Sequence, residues 1–142
     1  MVNILNAWCN GWNNWECPNF FKIDDKWMLI VSPHGPVIYC IGDFEHNEFQ
    51  GKLWNNFDNS SKFYAPNSLV DSKDRNIVIG WVKMDFYETW NGCFAIPRVI
   101  ELNKDKKTIT ALPIPEIWTF PIITYFNIFI MLTINFIFIS RS

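Results

Sequence analysis

The feature that most constrains the fold is a series of short runs of β-branched and aromatic residues, each ended by turn residues. Residues 27–31 end at Ser-Pro-His-Gly-Pro, residues 37–41 end at Gly-Asp, and residues 76–82 follow a polar turn at 71–74. Apolar residues at helical spacing do not recur over any long run. The sequence therefore predicts an all-β fold, and strands at this spacing are typical of sandwiches, barrels and propeller blades.

Charge and cysteine usage exclude two classes of protein. The net charge is -2, whereas proteins that bind nucleic acid normally carry a basic excess, so no nucleic-acid partner is expected. The cysteines are Cys9, Cys17, Cys40 and Cys93. None forms a Cys-x-x-Cys pair, and with only two histidines beside them we expect buried thiols, no metal site and no cofactor.

The last part of the chain differs sharply from the rest. Residues 117–139 carry no charged side chain and exceed the roughly 20 apolar residues that span a bilayer. A transmembrane helix is one interpretation, although Pro121, Asn127 and Asn135 argue against it. Translation of an AT-rich reading frame past its natural end is the other. We therefore expect a β-domain over residues 1–116 and a separate apolar tail, helical if it crosses a membrane, over residues 117–142.

The strongest candidate for a catalytic residue is Glu16, which stands directly after Trp15 at the start of a predicted strand. Large apolar neighbours disfavour a carboxylate and raise its pKa. A carboxyl group that stays protonated near neutral pH is what a glycosidase needs to protonate a leaving oxygen. The alternative for a single acid is an exposed glutamate in a turn.

The residues around Glu16 and the motifs that follow it favour a catalytic glutamate over an exposed turn residue. Residues 15–20, Trp-Glu-Cys-Pro-Asn-Phe, resemble the Trp-Glu-Cys-Pro-Asp-Phe signature of glycoside hydrolase family 32, the invertases and other β-fructofuranosidases. Ser-Pro-His-Gly at residues 32–35 is similar to the family's Ser-Pro-Gln-Gly. Lys-Phe-Tyr-Ala-Pro-Asn at residues 62–67 is similar to Asp-Phe-Tyr-Ala-Pro-Gln. Further blocks follow in family order at residues 39–44, 74–81, 90–98 and 113–116, so the resemblance spans roughly residues 15–116.

The resemblance implies a fold and an activity. The family folds as a five-bladed β-propeller followed by a β-sandwich, so about two blades are expected here. It hydrolyses terminal β-D-fructofuranosides such as sucrose, sucrose 6-phosphate, inulin or levan, with retention and by double displacement. Glu16 would be the acid and then the base, and Cys17 would be a neighbour that tunes it. Asp58, Lys62 and Trp15 would contact the fructose-containing sugar.

Two expected motifs do not occur in this sequence. Asn-Asp-Pro, which carries the family's nucleophile, and Arg-Asp-Pro, which holds the sugar hydroxyls, are both missing. Retaining hydrolysis needs two carboxyl groups about 5 Å apart, so Glu16 alone cannot form the covalent intermediate. We expect a family 32 fragment that is inactive by itself.

Two non-catalytic alternatives stay open. One is a carbohydrate-binding protein whose tryptophans stack on sugar rings, although packing between blades would use the same residues. These tryptophans are Trp15, Trp54, Trp81 and Trp90. The other is a remnant anchored in a membrane through residues 117–139.

Overall fold

The computed structural model describes residues 14–84 and 89–119. Within these ranges the chain forms nine β-strands and one short 3₁₀ helix. The strands are β1 (Glu16–Ile23), β2 (Lys26–Ser32), β3 (Ile38–Glu45), β4 (Glu48–Asn56), β5 (Phe63–Val70), β6 (Asn76–Lys83), β7 (Gly92–Phe94), β8 (Arg98–Leu102) and β9 (Ile109–Pro113). The predicted all-β fold is therefore confirmed for the described residues.

The first sheet is an antiparallel meander in the order β1-β2-β3-β4. His46 and Asn47 form the two-residue turn between β3 and β4, and both have positive φ, 52° and 64°. Two successive left-handed residues match the twist of the strands that they connect. The hairpin is thus set locally, and it fixes the register in which Glu45 faces Glu48.

The second sheet has the order β5-β6-β8-β9, with the short strand β7 also pairing with β6. β8 pairs with the first part of β6, where Val78 faces Arg98, and β7 pairs with its last part, where Val82 faces Cys93. β6 can serve two partners on one side because each occupies only three of its positions.

Two apolar clusters hold the sheets, and β2 contributes to both. Met28 and Ile30 join Phe63, Val78 and others in a core drawn from both sheets. Leu29 and Val31, which point to the opposite face, pack with aromatic residues of the first sheet. Because alternate residues of β2 are buried on both faces, its sequence reads as a continuous apolar run. The aromatic cluster comprises Trp15, Phe20, Trp27, Phe44, Phe49 and Trp54.

The prediction of buried thiols is right only in part. Cys40 is buried, but Cys17 and Cys93 are exposed. Cys17 lies where the register between β1 and β2 shifts, and Cys93 lies in the short strand β7. Cys9 lies outside the described residues.

The predicted apolar tail lies almost entirely outside the described residues. Its first three residues, 117–119, belong to the 3₁₀ helix Pro115–Thr119, in a second unit that begins at Pro113. Across the described ranges, no helix has both the length and the apolar character that a membrane crossing requires. The boundary between residues 116 and 117 stays a prediction.

Candidate active site

Glu16 is the first residue of β1 and stands directly before a β-bulge. It faces Ser32 of β2, but the next regular pair is Asn19 with Ile30, so β1 has one residue more than its partner between these points. Cys17, inside the bulge, has a φ of 46°, and Pro18 follows it. Bulges re-aim the side chains beside them. Here the bulge sets the direction in which the carboxylate of Glu16 leaves the strand.

A second bulge of the same kind lies in β5. Tyr64 faces Trp81 and the next regular pair is Asn67 with Ile79, so β5 also has one extra residue. Ala65, inside the bulge, has a φ of 46°, and it too is followed by a proline. Tyr64 therefore occupies in β5 the position that Glu16 occupies in β1.

The two side chains meet. The Tyr64 hydroxyl donates a hydrogen bond of 2.7 Å to Oε2 of Glu16. It also lies 3.2 Å from the carbonyl oxygen of Ser32 and accepts the backbone N–H of His34 at 3.3 Å. The Nζ atom of Lys83 lies 4.0 Å from the centre of the Tyr64 ring. Strands far apart in sequence thus fix one oxygen of Glu16.

The other oxygen of Glu16 faces a histidine and an amide. Nε2 of His34 lies 2.8 Å from Oε1, and Nδ2 of Asn14 lies 3.3 Å from the same atom. Asn14 Nδ2 is also 2.5 Å from His34 Nε2. One ring nitrogen cannot donate to Glu16 and accept from Asn14 at once, so the protonation of His34 decides which contact is a hydrogen bond.

The predicted rise in the pKa of Glu16 is wrong. Its pKa is lowered from the ordinary value of 4.5, first by the hydrogen bond from Tyr64, with burial opposing it, and then by the charge of His34. The expected apolar neighbour, Trp15, packs instead against Trp54, with ring centres 5.7 Å apart. Consecutive residues of an extended strand point to opposite faces, so Trp15 lies away from the carboxylate that it precedes.

Asp58 and Lys62 lie in the loop before β5, at the end of that strand where Tyr64 reaches Glu16. One oxygen of Asp58 lies 2.6 Å from Nη1 of Arg98, and the other accepts the backbone N–H of Ser60 at 2.7 Å. The carbonyl of Lys62 accepts the backbone N–H of Lys83 at 2.8 Å. The loop is therefore held to the second sheet by an ion pair and a backbone hydrogen bond.

The four candidate tryptophans have different surroundings. Trp15 and Trp54 pack in the aromatic cluster. Trp81 lies so close to Gly92 that a Cβ there would be 1.8 Å from Nε1 of the ring, and Trp90 is half exposed. Packing contacts account for the positions of the first three, and sugar stacking at the four tryptophans stays a prediction.

Three residues of the site were not singled out from the sequence: Asn14, His34 and Tyr64. Tyr64 and His34 lie in two of the blocks that resemble the family, and this was the available signal. Among the residues that the structure describes, no group of three or more His, Cys, Asp or Glu side chains is arranged to hold a metal ion.

Comparison with known proteins decides the family. Residues 4–113 match the glycosyl hydrolases family 32 N-terminal domain. The chain belongs to family 32. It is 33% identical over 126 residues to the sucrose-6-phosphate hydrolase of Escherichia coli, covering 72% of this chain and 25% of that protein. It is 31% identical over 140 residues to the fructan 1-exohydrolase of Bromus pictus, covering 76% of this chain and 23% of that protein. The family 32 chain thus spans about a quarter of the length of these curated relatives.

Solved structures agree on the fold. Fructan 1-exohydrolase IIa from Cichorium intybus superposes with a TM-score of 0.70 at 20% identity, over 80% of this chain and 27% of that one. A family 32 glycoside hydrolase from Bifidobacterium adolescentis gives a TM-score of 0.66 at 22% identity, over 74% of this chain and 19% of that one. The two sheets thus have the fold of family 32 structures, whereas a count of two blades stays a prediction.

Proposed function

We propose that this chain carries the proton-transfer part of a retaining β-fructosidase active site, with Glu16 as acid and then base. The observation that supports the proposal most is the placement of Glu16. It starts β1 within the family 32 signature, one oxygen is held at 2.7 Å by Tyr64, and 40% of the side chain remains accessible. A general acid needs both a fixed position and access to the leaving oxygen.

The surroundings suit a proton carried on Oε1. A proton on Oε1 would leave the hydrogen bond from Tyr64 to Oε2 intact, and Oε1 is the oxygen that faces His34 and Asn14. In the first step Oε1 gives this proton to the departing oxygen. In the second step the carboxylate takes a proton from the attacking water.

The lowered pKa of Glu16 means that a second carboxylate has two tasks. A nucleophile about 5 Å away would attack the anomeric carbon, and its negative charge would raise the pKa of Glu16 and keep the acid protonated. The family's nucleophile motif does not occur in this sequence. We therefore propose that the nucleophile comes from a separate sequence segment, and we expect the chain alone not to hydrolyse sucrose.

The proposed substrate is a β-D-fructofuranoside such as sucrose, sucrose 6-phosphate, inulin or levan. The support is that the relatives named above are a sucrose-6-phosphate hydrolase and a fructan exohydrolase. Asp58 and Lys62 stay the candidates for contacts to the sugar. A hydroxyl that binds Asp58 would share an oxygen already bonded to Arg98 or Ser60, which a carboxylate with four lone-pair sites permits.

A chimera tests the proposal. The matching segment of the Escherichia coli sucrose-6-phosphate hydrolase is replaced by residues 15–116 of this chain, and hydrolysis of sucrose 6-phosphate is measured. Glu16→Gln in the chimera should lower kcat by about 10²–10⁴-fold, the usual contribution of general acid–base catalysis. With a fructoside whose leaving group needs no protonation, azide, which attacks the fructosyl–enzyme without a general base, should restore turnover and give a fructosyl azide.

The matched control is Glu48→Gln, which changes an exposed glutamate on β4. It should leave kcat unchanged. If Glu16→Gln hydrolyses as fast as its parent chimera, Glu16 is not the acid. If the isolated chain hydrolyses sucrose and loses this activity in Glu16→Gln, the nucleophile lies within these 142 residues.

A further inference from the structure

The side chain of Asn19 is buried, with only 8% of the residue exposed, and it makes four hydrogen bonds. Nδ2 donates to the carbonyl oxygens of Cys17 at 2.9 Å and Pro66 at 2.8 Å. Oδ1 accepts the backbone N–H of Ser68 at 2.8 Å and its hydroxyl at 3.0 Å. Both amide protons and both carbonyl lone pairs are therefore used.

The two acceptor carbonyls belong to the two bulges. Cys17 is in the bulge that follows Glu16, and Pro66 is in the bulge that follows Tyr64. A bulge takes its residues out of the regular ladder of backbone hydrogen bonds. A single buried amide thus supplies partners to both irregular segments and ties one to the other.

Both bulges also contain a strained backbone. Cys17 and Ala65 have φ values of 46°, in the left-handed region that is unfavourable for a residue with a side chain. Such a conformation persists only where the surroundings hold it. The bonds from Asn19 hold the carbonyl of Cys17 itself and the carbonyl one residue after Ala65.

We propose that Asn19 is a positioning residue for Glu16, locking the two bulges in register so that Tyr64 meets the carboxylate. The catalytic meaning of this coupling rests on the proposed role of Glu16, but the coupling itself does not. The signature that the sequence resembles has Asp where this chain has Asn19. An ionised Asp has no proton to give to the carbonyls of Cys17 and Pro66.

The test measures the pKa of Glu16 by NMR in the full chain with ¹³C-labelled glutamate. In the unmodified protein the pKa should lie below 4.5. Asn19→Asp removes both donated hydrogen bonds and sets a carboxylate against two carbonyl oxygens. The contact with Tyr64 should loosen, and the pKa of Glu16 should recover at least half of its shift towards the ordinary value.

The matched control is Asn55→Asp. Asn55 lies in β4, at the opposite edge of the first sheet from β1. Its Nδ2 donates a hydrogen bond of 3.3 Å to the carbonyl oxygen of Lys107. Asn55→Asp loses the same kind of amide-to-carbonyl hydrogen bond and should leave the pKa of Glu16 unchanged. Asn19→Ser, whose side chain is too short to reach Pro66, replaces Asn19→Asp if that variant does not fold.

A measurement on the unmodified protein needs no variant. The side-chain amide protons of Asn19 should shift with the titration of Glu16, and those of Asn55 should not. The proposal is overturned if a folded Asn19 variant keeps the pKa of Glu16 unchanged, even if its stability falls. It is also overturned if the amide protons of Asn19 do not shift as Glu16 titrates. An active Glu16→Gln chimera would instead refute the proposed function and leave this result untouched.

Discussion

At the scale of single residues, the chemistry of Glu16 is set by partners that are distant in sequence. Tyr64 and His34 contribute a hydroxyl and an imidazole, whereas the adjacent Trp15 turns to the opposite face of the strand. The hydrogen bonds that these groups donate favour the ionised carboxylate more than burial disfavours it, so the pKa of Glu16 is lowered. Direct neighbours in a strand are therefore poor guides to the environment of a carboxylate.

Tyr64→Phe should raise the pKa of Glu16 towards 4.5, because it removes the largest cause of the lowered value. A lowered folded pKa stabilises the fold above 4.5, and the gain is lost as the pH falls through the folded value. The variant should thus be less stable than the parent at pH 7, and the difference should shrink as the pH falls from 4.5 through the folded pKa of Glu16. NMR titration and urea unfolding between pH 2 and pH 7 check both expectations.

Tyr39→Phe is the control for this change. The Tyr39 hydroxyl accepts the backbone N–H of Ile109 and does not contact Glu16, whose partners are Tyr64, His34 and Asn14. An equal rise in the Glu16 pKa in both variants would contradict the assigned cause.

The sequence predicted the place of Glu16 in the fold but not the residues that contact it. The signature located Glu16 because its residues are contiguous, and the structure places it at the start of a strand, as expected. Tyr64, by contrast, reaches Glu16 only because both strands contain a bulge, and no rule of spacing predicts two bulges in contact. The contact of Asp58 with sugar stays a prediction, and its ion pair with Arg98, which joins residues 40 positions apart, was not predicted.

At the scale of elements, turns are fixed by short polar side chains. Asp71, between β5 and β6, accepts the backbone N–H groups of Lys73 and Arg75 at 2.9 Å each. The guanidinium of Arg75 adds contacts of 2.8 Å from Nε and 2.6 Å from Nη2. Most strands could be predicted from runs of apolar residues. β4 could not, because it combines buried Phe49 with many exposed polar residues.

Asp71→Asn should destabilise the β5–β6 hairpin in a pH-dependent way. Hydrogen bonds from Arg75 lower the pKa of Asp71 from 3.8 to about 2. The stabilisation is complete above pH 3.8 and is lost as the pH falls towards 2. Urea unfolding should show a deficit at pH 7 that closes near pH 2.

Asp74→Asn is the matched control, since it makes the same change in the same turn. Asp74 has a φ of 58°, a conformation that asparagine tolerates well. The stability of Asp74→Asn should therefore stay close to that of the parent. A deficit of Asp71→Asn that is independent of pH would show that shape, rather than charge, matters at this turn.

At the scale of the whole described β-unit, one core unites the two sheets. Ile30 of β2 is fully buried there, alongside Phe63 and Val78 of the second sheet. At the surface, Nζ of Lys106 lies 2.5 Å from Oδ2 of Asp25. That pair is half exposed and adds little, because solvent screens the attraction between exposed charges.

Ile30→Ala should lower the free energy of unfolding by about 2–5 kcal/mol, the usual cost of truncating a large buried aliphatic side chain. Leu53→Ala is the control, because Leu53 is 53% exposed, and it should stay within about 0.5 kcal/mol. Urea titration with a shared slope compares the two. Similar losses in both variants would contradict the burial of Ile30 in this core.

The two prolines beside the bulges have a consequence for self-association. Among the described strands, β1 and β5 each lie at one edge of their sheet, and an edge can accept a strand from another molecule. Pro18 and Pro66 interrupt those edges, since each lacks an amide proton and follows a left-handed residue. The same local geometry that aims Glu16 and Tyr64 therefore also discourages the polymerisation of copies along β1 and β5.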